Sequence, residues 1–187
     1  MIQIRQIIPL TLIALFTQLH AGNFAIDGTH SELAVDVRAS PPHSFTFTAK
    51  EFAVDLQINP QTLELQKATC TFGFDSLDSK KPKRDKKMRG WINTTHYPKA
   101  TFELTKVRQG ETDGTQIGVG QFTMHGVSRE IEIPFTIRRD GKVIILDGQA
   151  ELNTTEWDLK IIRMFFFSVK PVIKPHFHLE GTLTNDA

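Results

Sequence analysis

The chain has 187 residues, 22 basic and 21 acidic side chains, and one cysteine. That length suits a single domain with a sizeable core. The near-neutral balance argues against a generally basic nucleic-acid-binding surface, and a lone cysteine excludes an internal disulfide framework.

Met1 to Ala21 read as a secretory signal peptide. Arg5 supplies the positive start, and Ile7 to Leu19 form a mostly apolar stretch too short to span a bilayer as a helix. Leu19-His20-Ala21 reads as an imperfect small-residue cleavage site, and the mature chain is expected to begin at Gly22 or within a few residues of it. Residues 22–187 then form one domain. They carry 21 basic and 21 acidic side chains, because Arg5 is the only charge in the leader.

The body of the chain alternates apolar and polar residues. Apolar side chains recur at every second position in Phe45-Phe47-Ala49, Phe52-Val54-Leu56-Ile58, Ala68-Cys70-Phe72-Phe74, Ile131-Ile133-Phe135-Ile137 and Phe177-Leu179. One dry and one wet face per strand is the pattern of an antiparallel sheet. Turn signals fall at Asn59-Pro60, 110–114, His125-Gly126, Asp140-Gly141 and Asp147-Gly148. Asp140-Gly141 reads as a two-residue hairpin turn. Pro134 inside a strand predicts an edge or bulge position. Cys70 falls on a dry face, where a thiol packs as a small hydrophobe. About eight strands in a domain of this size suit either a closed barrel or a sandwich.

Residues 80–98 break this rhythm. They predict a short helical insertion over about 80–96, holding the only strongly charged stretch. Seven basic side chains, Lys80, Lys81, Lys83, Arg84, Lys86, Lys87 and Arg89, stand there against Asp85. This is a localised anion-facing patch or a solvated helix face.

The same stretch carries a resemblance. Arg84-Asp85-x-x-Met88-Arg89, Trp91 and Tyr97-Pro98-x-Ala100-x-Phe102 resemble the motif of the YceI-like family. Phe24-x-Ile26-Asp27-x-x-His30-Ser31-x-Leu33 is similar to that family's first strand, and Gly120-x-Phe122-Thr123-Met124-His125-Gly126-Val127-Ser128 to one of its hairpins. Lys87 stands where the family usually has His. The resemblance implies an all-β, antiparallel, lipocalin-like barrel that binds long isoprenoid chains in its interior. It also implies a bacterial, periplasmic protein, and an Arg84-Asp85 pair that holds the helix to the barrel by a charged hydrogen bond.

No catalytic motif accompanies these features. There is no Gly-x-Ser-x-Gly, no His-Glu-x-x-His and no phosphate-cradling glycine loop. His176 and His178 share a strand face that reads as the wet exterior, so no metal site is expected there. Phe165-Phe166-Phe167 reads either as a mouth-lining loop or as a strand buried on both faces. The expectation is therefore a non-enzymatic carrier or binding protein for a polyisoprenoid or isoprenoid quinone, with no cofactor and no nucleic-acid partner. Phe45, Phe47, Phe72, Phe74, Phe102, Phe122 and Phe135 are expected to line the ligand's tail. Lys80, Lys81, Lys83, Lys86 and Lys87 are expected to face its head group or an anionic membrane surface. The alternative is a filled barrel that docks on an anionic envelope partner through 80–89.

Overall fold

Period-two alternation produces strands over most of the chain. The structure, a computed structural model, describes residues 21–40, 43–164 and 167–184. Residues 1–20 of the expected leader lie outside them, as do Phe165 and Phe166 of the triple phenylalanine. In chain order the elements are β1 (Gly22–Ile26), β2 (Glu32–Ser40), β3 (His43–Ala49), β4 (Phe52–Ile58), β5 (Leu65–Gly73), β6 (Leu77–Asp78), α1 (Pro82–Ile92), β7 (Lys99–Gln109), β8 (Thr115–Met124), β9 (Val127–Asp140), β10 (Val143–Gln149), β11 (Leu152–Asn153), β12 (Arg163–Met164) and β13 (Phe167–Thr184).

The strands close into an eight-stranded antiparallel barrel in the order β1, β4, β5, β7, β8, β9, β10, β13. Closure comes from the last strand pairing with the first, Phe24 opposite Leu183 and Ile26 opposite Gly181. β2 and β3 prolong β1 and β4 at one end, with Leu33 of β2 opposite Phe177 of β13. A barrel leaves no unpaired edge in its wall, which explains how so many strands coexist without a second sheet.

Two turn placements differ from expectation. The turn between β9 and β10 is centred on Gly141-Lys142, because Asp140 still pairs with Val143. The two-residue turn with both central residues at positive φ is His125-Gly126, at +51° and +76°. Asp147-Gly148 is no turn but part of β10, where a Cβ on Gly148 would sit 2.4 Å from the Phe177 ring. Glycine there makes room for a neighbouring ring rather than for a bend. Pro134 lies one residue beyond the last β9–β10 pair, Phe135 with Gly148, so it is a local edge as expected.

Inward residues meet across strands. Val54 faces Cys70, Cys70 faces Phe102, and Phe102 faces Phe122. The core forms two packed clusters. One gathers Phe47, Phe74, Met88, Ile92 and Trp157 beneath α1. The other gathers Phe24, Ile58, Ile144, Leu146 and Leu179 in another part of the barrel.

The helix matches the expected insertion. Pro82 occupies its first turn, where a missing N–H costs nothing, and Asn93 ends it in the left-handed region at φ +59°. Asp85, Met88 and Ile92 are its buried residues, three and four apart, and the lysines point outward. Asp85 is 7% exposed and accepts the Ser79 amide at 3.1 Å and the Ser79 hydroxyl. Ser79 follows β6, which pairs with β3, so this carboxylate ties the helix to the barrel wall. Arg84 makes no carboxylate pair among the described residues; its guanidinium lies 4.1 Å above the Phe45 ring. The expected Arg-Asp tether is thus carried by Asp85, with Arg84 stacked beside it.

Candidate functional site

The barrel is not filled. A cavity of about 190 Å³ lies inside it, and among the described residues no Asp, Glu, Lys or Arg lines it. Its wall takes residues from both packed clusters, with Val54, Cys70, Phe102, Leu104 and Ile133 between them, and Met88, Trp91 and Ile92 of α1. Phe72, Phe102 and Phe122 are only half-buried, because their open faces look into this cavity rather than into solvent.

Six of the seven phenylalanines expected to line the interior border this cavity: Phe47, Phe72, Phe74, Phe102, Phe122 and Phe135. Phe45 does not. It sits in an adjoining groove of about 450 Å³, lined by Val37, Phe45, Phe47, α1 and residues 161–173. Val37, Phe47, Met88, Trp91, Thr154 and Ile173 border both spaces, so the groove is the cavity's mouth.

The mouth exists because β13 is irregular there. Its pairing with β2 shifts register between Val169 and Ile173, and Lys170 and Pro171 in that interval line the groove. A bulge with a proline cannot continue the ladder and leaves the wall open. Trp91 closes part of the opposite side, its indole N–H donating to the Lys160 carbonyl at 2.6 Å.

The basic side chains divide unevenly. Lys81, Lys83, Arg84 and Lys87 line the mouth, and Lys170 joins them from β13. Lys86 is exposed and Lys80 turns away to Asp78, 3.3 Å from its carboxylate; neither borders the groove. Asp78 also meets Lys50 at 3.1 Å, and the backbone and lysine hydrogen bonds hold its pKa down to about 2.

Cys70 follows the expected dry face and borders the cavity. Burial pushes its thiol up to about 11, so almost no thiolate exists at neutral pH. A maleimide or disulfide reagent is expected to label Cys70 slowly in the native protein and rapidly in denaturant. Fast native labelling would move this strand's inward face outward.

His176 and His178 lie in β13. His178 lies between Asp147, at 2.6 Å, and Glu180, at 3.1 Å; the Asp147 hydrogen bond, more than the Glu180 contact, raises its pKa. His176 stands 3.8 Å from Asp36 and 3.9 Å from Glu32. No group of three or more metal-capable side chains occurs among the described residues. His125 donates to the Trp157 carbonyl at 2.9 Å and packs 4.4 Å from the Tyr97 ring. The two motif segments, 84–102 and 120–128, therefore meet in space and close this end of the barrel.

Trp157 gave no sequence signal and is a keystone of that closure. It is 1% exposed, donates its indole N–H to the Phe122 carbonyl at 3.1 Å and stacks edge-on to the Phe122 ring. The signal that could have found it is Asn153-Thr154-Thr155, where Asn153 accepts the Thr155 amide and starts the short helical turn that ends at Trp157.

Comparison with known proteins agrees with this architecture. Protein YceI of Shigella flexneri is 32% identical over 93 residues, 48% of this chain and 41% of that protein. A UPF0312 protein of Yersinia pestis is 30% identical over 100 residues, 52% of this chain and 45% of that protein. The matched stretch thus spans less than half the length of either relative. Among solved structures, Burkholderia cenocepacia BcnA shares the fold with a TM-score of 0.75 at 18% identity, over 84% of this chain and all of that one (100%). A polyisoprenoid binding domain from Saccharophagus degradans shares it with a TM-score of 0.62 at 14% identity, over 88% of this chain and 100% of that one. The model of the YceI-like domain matches residues 24–183, nearly the whole described barrel, and the chain belongs to that family.

Proposed function

We propose that this protein is an exported, periplasmic, non-enzymatic carrier that holds a long apolar lipid, of the polyisoprenoid or isoprenoid-quinone type, inside its barrel. The observation that carries the reading is the interior cavity, which has no Asp, Glu, Lys or Arg among the described residues of its wall and is contiguous with a surface groove. Burial of apolar surface drives such binding, at roughly 25 cal/mol per Å² before ordering costs. A chain too long for the cavity must leave through the groove, which sets its other end at the basic mouth. The polyisoprenoid-binding domain among the fold neighbours supports the ligand class, and the leader-like segment 1–21 supports export. The cavity weighs against a filled barrel that acts only as a docking module.

The test separates lining from folding. Phe72→Leu and Phe102→Leu keep an apolar side chain at each position but remove the ring from the wall. Titration of the delipidated protein with geranylgeraniol is expected to show affinity falling about tenfold for each variant, with the cooperative unfolding transition kept. Unchanged affinity in both variants would move the ligand out of this cavity.

A further inference from the structure

The mouth carries a charge arrangement that neither the fold nor an apolar tail requires. Lys81 precedes α1, and Lys83 and Arg84 lie in its first turn, yet all three border the groove. A helix N-terminus is the positive end of the helix dipole and favours carboxylates. Here the first turn has cations instead, and no side chain caps it. Its one carboxylate, Asp85, is turned inward to Ser79. Lys170 adds a further cation from the opposite wall, and no Asp or Glu among the described residues lines the groove. Lys81, Lys83 and Lys170 form no ion pair with any described residue. Such a local conflict between sequence and helix electrostatics is expected at functional sites, where an absent partner resolves it.

We infer that the groove is a phosphate site. It selects an amphiphile whose tail lies in the barrel and whose phosphate head is held at the mouth by Lys81, Lys83, Arg84 and Lys170. The inference rests on the carrier reading above. A phosphate monoester carries about −1.5 to −2 near neutral pH and offers three acceptor oxygens, where a carboxylate carries a single charge. Lysine ammoniums meet phosphate oxygens as mobile point charges, and a guanidinium can add a bidentate contact. The apolar floor of the groove, Val37, Phe47, Met88 and Ile173, is continuous with the cavity, so head and tail are accommodated in one ligand.

The experiment compares two probes of equal tail length, geranylgeranyl monophosphate and geranylgeraniol, on the purified, delipidated protein. The phosphate is expected to bind about tenfold or more tightly than the alcohol at low salt, with the gap narrowing as salt screens the mouth. In the Lys81→Gln, Lys83→Gln, Lys170→Gln triple variant the preference should be lost. Lys142→Gln, in the exposed turn between β9 and β10, should keep it. Equal affinity for both probes in the unaltered protein would overturn the phosphate site and leave the carrier reading standing. Failure of both probes to bind would overturn both. Inorganic phosphate alone, binding as tightly as the lipid phosphate, would make this a free-phosphate site and overturn the amphiphile. Lysine-dependent binding to phosphatidylglycerol-containing vesicles, without preference between the two monomeric probes, would overturn it in favour of membrane docking.

Discussion

Trp157→Ala is expected to lower the unfolding free energy by about 3–5 kcal/mol and the melting temperature by roughly 6–20 °C. The side chain is 1% exposed and fills the closed end of the barrel beneath the chain that links β8 to β9. Its removal takes away the ring packed on Phe122 and the N–H that satisfies the Phe122 carbonyl. The neighbours are held by strand pairing and cannot collapse into the gap, so the cavity term adds to the lost burial. Trp157→Phe retains most of the packing and loses the hydrogen bond, and it should cost about 1 kcal/mol. Denaturant unfolding of both variants checks the pair. An alanine variant no less stable than the phenylalanine one would show that Trp157 does not close the barrel.

Asp85→Ala is the second large effect, about 2–3 kcal/mol. The carboxylate is buried and is the acceptor for both the amide and the hydroxyl of Ser79. Alanine leaves both donors without that charged partner and frees α1 from the segment that joins it to β6. Arg84→Gln removes only a stacked guanidinium at the mouth, worth about 0.5–1 kcal/mol. Thermal unfolding should therefore rank Asp85→Ala well below Arg84→Gln. The reverse order would make Arg84 the tether. Because Met88, Trp91 and Ile92 of the same helix border the cavity, loosening α1 should also speed ligand loss.

The wall of the barrel was legible because a strand's side-chain period is two, and 45–49, 52–58 and 68–72 keep it without interruption. The helical insertion was legible because 80–98 breaks that period. Turn placement was less so. Asp140-Gly141 and Asp147-Gly148 are the same kind of dipeptide locally, yet one borders a turn and the other lies within a strand beside Phe177. Only the packing of a ring from a distant strand separates them. The interior phenylalanines could be read from strand phase, but Phe45 belongs to the mouth, at the end of the wall where β3 runs past the cavity. The mouth's second side could not be read at all. Lys170 comes to the groove through a bulge in β13, and Ile161 and Ile162 come from the segment before β12; a bulge in a tail without clear alternation carries no local signature. Lys80 and Lys86 looked equivalent to Lys81, Lys83 and Lys87 in sequence; helix phase and the Asp78 carboxylate tell them apart.

The carrier reading stands or falls on what the barrel holds. The direct measurement is native mass spectrometry of the protein purified from a bacterial envelope, followed by mass analysis of its organic extract. The expected result is a long isoprenoid lipid in near-equimolar amount, released on denaturation and missing from a variant whose cavity is filled by Ala68→Trp. Folded protein that carries no lipid, and takes up none when offered, would contradict the account.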